Sequence, residues 1–298
     1  MSAVFNYCSR ICFVFAFVFI STAFLIPCTK ADARDARGYV TPPDGTAGVL
    51  FYAYHRSANK QYIDGDKVNN NADFDMNLQI VRPVYYKEIC GYMTSVQMLL
   101  PFGNASVTTP LGKFNTSGLA DPTLILAFWP IANKDNQTWL GIAEYITMPL
   151  GAYNNDSPLN MGANRWAFKT EMSLVKGFGK LFIDITPKVE FYTNNTDYFH
   201  SGVSGKTQST TPLYSLETHI SYDFTDTFML SLDYYYDIGG KHKTDGVRYG
   251  KRDNHAVQLT AGINIAPRHK LLLQYMQTIK VENGYKINQF GVRYFYIF

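Results

Sequence analysis

Beyond residue 33 the chain is organised in twos. From Phe228 onward, Phe228, Leu230, Leu232, Tyr234, Tyr236 and Ile238 are apolar or aromatic, with Ser231, Asp233 and Asp237 between them. The segment before it sets Tyr214, Leu216, Ile220, Tyr222 and Phe224 against Ser215, Glu217, His219, Ser221 and Asp223. Leu181, Ile183, Ile185, Val189 and Phe191 likewise oppose Asp184, Thr186, Lys188 and Glu190. Successive side chains of a strand point to opposite faces, so each segment reads as a strand with one greasy and one wet face. The pattern recurs at Trp166 to Leu174, at Val257 to Ile265, and at Phe74 to Ile80, where Asp75, Asn77 and Gln79 alternate with apolar neighbours. Near Leu50, Val96, Leu124 and Ile142 both faces are largely apolar, and strands there are placed by spacing.

Placed in this way the strands number twelve, and the connections between them run long, short, long, short. Ser57 to Ala72 is long and Lys87 to Gly91 short; Gly103 to Asp121 is long and Ala132 to Asn136 short; the alternation continues to a short last hairpin at Glu282 to Gly284. No apolar run after Ala33 is long enough for a membrane helix, so a membrane span must be a closed barrel. The predicted fold is therefore all-β: a transmembrane antiparallel β-barrel of about 12 strands. Its short turns, and with them both the N- and C-termini, are expected on the periplasmic side. Residues 34–45 are expected to form a periplasmic N-terminal segment, either a tail or a strap entering the barrel, with the barrel itself over 46–298.

Composition fits strands that are apolar on one face only: 46% hydrophobic and 15% aromatic residues give a mean hydropathy of −0.14. Residues 1–33 depart from this. Arg10 precedes an uncharged stretch from Ile11 to Ile26, and Ala31-Asp32-Ala33 follows, the three parts of a cleaved signal peptide. Three of the four cysteines, Cys8, Cys12 and Cys28, fall in this leader, which leaves Cys90 alone in the mature chain and precludes an internal disulfide. Removing Arg10, Lys30 and Asp32 with the leader lowers the 27 basic and 24 acidic side chains to a net charge of +2, which gives no footing for nucleic acid.

The chain ends on Phe290, Val292, Tyr294, Tyr296 and Phe298 with the same period. Pairing this strand with the first removes both sheet edges. Tyr294, Tyr296 and Phe298 also resemble the C-terminal signal read by the barrel assembly machinery. Several motifs add to this: Ser117-Gly118-Leu119-Ala120-Asp121-Pro122, Tyr235-Tyr236-Asp237-Ile238-Gly239-Gly240, and Pro267-Arg268-His269 before Gln274-Tyr275. In their order and spacing they resemble the outer-membrane family of the MetA pathway of phenol degradation, whose members are often called transporters. Ala120 stands where that family would have Gly. The resemblance implies an outer-membrane location and passage of small molecules, aromatic or hydrophobic compounds among them.

If the apolar faces meet lipid, the lumen receives Lys169, Glu171, Asp184, Lys188, Glu190, Glu217, His219, Asp233 and Asp237. Charges of both signs there either pair as an interior plug or form a selective constriction on a substrate path. A different class of function is raised by His219 and Ser221, which share a face. A turn at 225 to 227 sets Asp233 opposite His219, and a His, a Ser and an acid together resemble the catalytic group of outer-membrane lipid hydrolases. The pattern points that Ser into the lumen rather than toward lipid, so no catalytic residue is expected. A third class, adhesion, would use the long loops 194–211 and 239–254; the second is basic through Lys241, His242, Lys243, Arg248, Lys251 and Arg252, and could meet anionic lipopolysaccharide. No glycine-rich phosphate loop lies in a strand-to-helix context, and no cofactor or metal is expected. The expected partners are outer-membrane lipid, lipopolysaccharide, the assembly machinery and a small solute.

Overall fold

A computed structural model describes residues 35–69, 72–109, 112–200 and 202–298; the leader expected over residues 1–33 lies outside the described residues. Twelve antiparallel strands close into a barrel: β1 (Ala47–Ala58), β2 (Asp73–Ile89), β3 (Tyr92–Thr109), β4 (Thr123–Asn133), β5 (Thr138–Thr147) and β6 (Ala167–Phe178). The circuit continues through β7 (Leu181–Tyr192), β8 (Leu213–Asp223), β9 (Phe228–Gly239), β10 (Arg252–Ala266), β11 (His269–Lys280) and β12 (Asn288–Ile297). Consecutive strands pair throughout, and β1 pairs with β12 from Gly48↔Ile297 to Ser57↔Asn288. Every strand thus has two neighbours and no edge is left to be satisfied in the hydrocarbon. The tight turns match their sequences. Between β2 and β3, Cys90 and Gly91 take φ of 52° and 81°, the left-handed pair of a two-residue hairpin whose twist suits the flanking strands.

The alternation is honoured across most of the circumference. Phe168, Met172 and Leu174 on β6, Ile220 and Tyr222 on β8, Leu232 on β9 and Leu259 on β10 are exposed on the outer wall, while their polar neighbours are buried inside. The turn between β8 and β9 sets His219 opposite Asp233, the register the alternation requires.

At β2 the expectation that apolar faces meet lipid is reversed. Phe74, Met76, Leu78 and Ile80 are buried in the interior, and Asp75, Asn77 and Gln79 lie on the outer wall. The reason lies in the neighbours. On the outer wall, Val81, Pro83 and Tyr85 continue an apolar band with Phe51, Leu100 and Phe102, but beyond Gln79 the strand runs past that band. There the outward side chains are His55, Asn77 and Asn104, joined by a 3.0 Å contact from His55 Nδ1 to Asn77 Oδ1 and a 3.1 Å bond from Asn77 Nδ2 to Asn104 Oδ1. A period of two shows that two faces differ; it does not show which one faces the lumen.

Two further differences concern the long connections. The segment from Gly103 to Asp121, expected as a loop, continues β3 to Thr109 and returns as a strand over Gly112–Leu119. Asn195–His200, Val203–Thr210, His242–Thr244 and Val247–Tyr249 form a four-stranded sheet across two of the loops, and Gln61–Ile63, Asp66–Asn69 and Gly284–Tyr285 form a three-stranded one. The loop over 148–166 is tied down by Asp121, whose carboxylate accepts Gly151 N–H at 2.9 Å and Ala163 N–H at 2.7 Å. Burial pushes the Asp121 carboxyl up from its ordinary value, and the two backbone donors oppose that shift.

Candidate functional site

The interior has two unlike walls. From β1 to β5 it is lined by Tyr52, Tyr54, Phe74, Met76, Leu78, Ile80, Leu99, Ile125, Trp129 and Trp139, joined from the loops by Leu159, Met161 and Tyr285. From β6 to β10 the wall is ionic. Lys188 Nζ lies 2.5 Å from Glu217 Oε1 and 3.5 Å from Glu171 Oε2, and Lys169 Nζ lies 3.8 Å from the same Glu171 oxygen. His219 Nδ1 is 2.9 Å from Asp233 Oδ1, and Asp233 also accepts the Thr260 hydroxyl at 2.8 Å, the Gln258 amide at 3.0 Å and the Ser231 hydroxyl. Charges withdrawn from water persist only when partnered in this way.

Between the walls runs the segment preceding β1. Tyr39 bridges the two walls: its hydroxyl donates to Glu171 Oε1 at 2.7 Å, its carbonyl accepts the Trp129 indole N–H at 2.8 Å, and its ring lies 5.7 Å from that of Trp129. Arg37 donates its backbone N–H to Asp184 at 2.5 Å, its Nε to Ser221 Oγ at 2.9 Å and Nη1 to both Asp223 oxygens at 2.8 Å. Asp35 accepts from Arg293 and, at 2.6 Å, from Gln274. Of the two arrangements open for this segment, the strap inside the barrel is the one its described residues adopt.

The strap divides the space. A cavity of about 220 Å³ opens between the loops and Arg293, with Tyr235, Met276, Tyr285 and Ile287 among its lining. A second of about 200 Å³ lies toward the short turns, lined by Asp35, Val40, Leu50, Tyr52 and Leu272 among others. The Asp35–Arg293 pair stands between them, one partner on each side.

The structure brings the sequence-derived lumen residues together unevenly. Lys169, Glu171, Asp184, Lys188, Glu217, His219 and Asp233 are buried inside, whereas Glu190 and Asp237 are half-buried toward the loops. Asp237 accepts the Ser215 hydroxyl, and Glu190 accepts the Tyr192 hydroxyl at 2.7 Å. His219, Ser221 and Asp233 do not assemble as a catalytic group. Ser221 is held by Arg37, and the second ring nitrogen of His219 lies 3.9 Å from Glu217 Oε2, so both imidazole nitrogens face carboxylates. Tyr294 and Tyr296 are half-buried on β12 and flank His269, while Phe298 is exposed and donates its N–H to Ala47 O at 2.9 Å. Among the described residues no group of three or more His, Cys, Asp or Glu could hold a metal ion.

Residues missed by the alternation are those on the strap and the loops. Asp35, Arg37 and Tyr39 lie in a short stretch with no period, and only their partners were legible. Arg165 donates to Thr210 and stacks 4.5 Å above the Tyr192 ring, beside His242, whose Nδ1 is 2.9 Å from Thr210 Oγ1. Burial, then the neighbouring Arg165 and Arg252, hold the His242 imidazole well below its ordinary value.

Comparison with known proteins agrees with this architecture. The COG4313 outer membrane channel from Pseudomonas putida F1 superposes with a TM-score of 0.83 at 26% identity, over 89% of this chain and 100% of that one. The translocator domain of autotransporter NalP from Neisseria meningitidis (TM-score 0.52, 11% identity, 88% and 91% covered) shares the barrel fold alone. So does the beta domain of the Bordetella autotransporter Brka (TM-score 0.53, 13% identity, 85% and 100% covered). No curated protein matches the chain. The family model "Putative MetA-pathway of phenol degradation" matches residues 58–294, most of the chain, and this outer-membrane β-barrel belongs to that family.

Proposed function

We propose that the protein is an outer-membrane channel for passive passage of small molecules, with aromatic or hydrophobic compounds as its solutes. The observation that carries this reading is the two-sided lumen. A purely ionic interior would reject a greasy solute by leaving its own charges unpaired, and a purely apolar one would hold it without release. An apolar wall facing an ion-paired wall gives such a solute a surface to follow while the polar groups keep their own partners. The similar channel from Pseudomonas putida F1 supports the reading. In this orientation the short turns, both chain ends and the strap face the periplasm, and the loop-side cavity receives solute from outside. Tyr294, Tyr296 and Phe298 then serve as the signal to the assembly machinery, and lipid and lipopolysaccharide surround the outer wall.

The test is transport by refolded protein in liposomes, comparing phenol with glucose at matched concentration. Faster entry of phenol than of glucose, relative to protein-free vesicles, is the expected result. Equal rates for both would leave a general pore, and no entry of either would leave a structural or adhesive barrel.

A further inference from the structure

The outer wall carries one acid where the alternation places apolar side chains. Glu144 points outward from β5, between Ile142 and Ile146 on its own strand, and stands opposite Leu126 of β4 and Thr170 of β6. Phe128, Phe168 and Met172 complete the surround, each exposed on the outer wall. Among the described residues no other acidic side chain of that wall is enclosed by apolar neighbours in this way. Asp75 and Asp253, which also face outward, lie near the loop ends of β2 and β10, within 3.6 Å of His55 and 2.6 Å of Lys280. An ionisable group against hydrocarbon is costly and rare, and is kept where something answers it. Glu144 Oε2 accepts the Thr170 hydroxyl at 2.9 Å. That hydroxyl has a single hydrogen to give, fewer than a carboxyl set in hydrocarbon calls for.

The wall differs on the two sides of Glu144. Across β2 to β5 it is hollowed into a recess of about 650 Å³, walled by Tyr85, Val96, Leu126 and Phe128 and ending on β5 at Ile142 and Glu144. On the other side β6 presents Phe168, Met172 and Leu174, between 42% and 47% exposed. A two-fold axis along the membrane normal, set at the junction of β5 and β6, would lay the β6 face of each copy over the recess of the other. The same axis would bring Glu144 to Glu144. Two carboxyls set together can share a proton in a hydrogen bond, while each keeps its own Thr170. A lipid chain could fill the recess, but it brings no hydrogen-bonding group to Glu144. Polar side chains in an apolar surround join membrane segments in this manner.

We propose that this face pairs two copies of the chain in the membrane, as a two-fold dimer centred on Glu144 and Thr170.

The experiment uses the refolded barrel in liposomes, labelled with donor and acceptor dyes at Cys90, the exposed cysteine of the β2–β3 turn. Energy transfer is followed as the protein is diluted in lipid. Wild-type protein is expected to dimerise. Glu144→Leu, which suits the lipid face, is expected to weaken the dimer about tenfold, the loss of one hydrogen-bonded polar contact between membrane segments. Glu144→Gln keeps a donor and an acceptor and is expected to stay within about twofold of the wild type. Heat-modifiable gel mobility confirms that each variant is folded. The location is read by oxidative cross-linking in native outer membranes on a Cys90→Ser background. Ile142→Cys, beside the axis, is expected to give a cross-linked dimer, and Leu232→Cys, on the outer wall of β9, is not. Energy transfer no greater than random encounter in the wild type would overturn the proposal and leave the recess to lipid. Equal dimerisation in folded Glu144→Leu would overturn it as well, as would cross-linking of Leu232→Cys equal to that of Ile142→Cys.

Discussion

Gly141, on the inner face of β5, is the point at which the strap is most easily dislodged without touching it. A methyl group there would stand 2.2 Å from Cδ1 and 2.6 Å from Cε1 of Tyr39, and 3.0 Å from the Trp129 indole nitrogen. Such approaches are far inside van der Waals contact. β5 is paired along both sides and cannot retreat, so the Tyr39 ring must leave its place against Trp129 and Glu171. Overfilling a packed interior by one methyl costs about 1–3 kcal/mol. At about 2 kcal/mol the ratio of docked to undocked strap falls roughly 30-fold. The twelve strands pair with one another around the circuit, so the cost is expected to appear as opening rather than as unfolding.

Single-channel recording reads this as a rise in the fraction of time Gly141→Ala spends in a high-conductance state. The control is Tyr39→Ala, which is expected to open the channel by itself and to leave space for the methyl. Adding Gly141→Ala to it is expected to change the open fraction by less than about twofold, the non-additivity of two residues in contact. Equal effects of Gly141→Ala in both backgrounds would refute the reasoning, as would no effect in the first.

Other consequences follow from the ion pairs, the loops and the reversed strand. Lys188→Met leaves Glu217 and Glu171 facing each other in the interior without their shared cation, and is expected to cost about 3–5 kcal/mol, read as a lower midpoint in heat-modifiable gel mobility. The His242 imidazole is depressed in the folded loop, so the unfolded loop binds the extra proton. Stability is therefore present above the ordinary value of 6.5 and lost as the pH falls below it, by up to about 1.4 kcal/mol per pH unit. Limited proteolysis of the loops 194–211 and 239–254 should accelerate in that window, and His242→Gln should flatten the dependence. On β2, a cysteine at Asn77 is expected to react with a water-soluble thiol reagent added outside, whereas one at Met76 is expected to be protected; equal labelling would contradict the reversed facing.

How much of this was legible follows from what a period of two can encode. For β6 to β9 it specified both the strands and their facing, because Lys169, Glu171, Asp184, Lys188 and Asp233 are too costly to place against lipid. For β2 the pattern was as clear but the facing was lost. Asp75, Asn77 and Gln79 are compatible with either a lumen or an outer wall beyond the apolar band, and only the lengths of β2 and β3 decide between them. The strap was illegible for another reason. Asp35, Arg37 and Tyr39 gain their meaning from partners on six different strands, contacts that local sequence does not announce. The hydrolase alternative turned on the same gap, since Ser221 shares a face with His219 but is taken by Arg37.

The contact between Asp35 and Arg293 also orders events in time. These residues are 258 apart in sequence, and Gln274 is 239 from Asp35, so the site that holds Asp35 is built from strands made last. Until β12 has paired with β1 there is no enclosed wall for Asp35 to meet, and the chain end that is synthesised first must wait for the one synthesised last. Docking of the strap is therefore a late step that reports on closure. In refolding, the shift in gel mobility that marks a closed barrel should precede the change in Trp129 fluorescence that marks Tyr39 settling beside it.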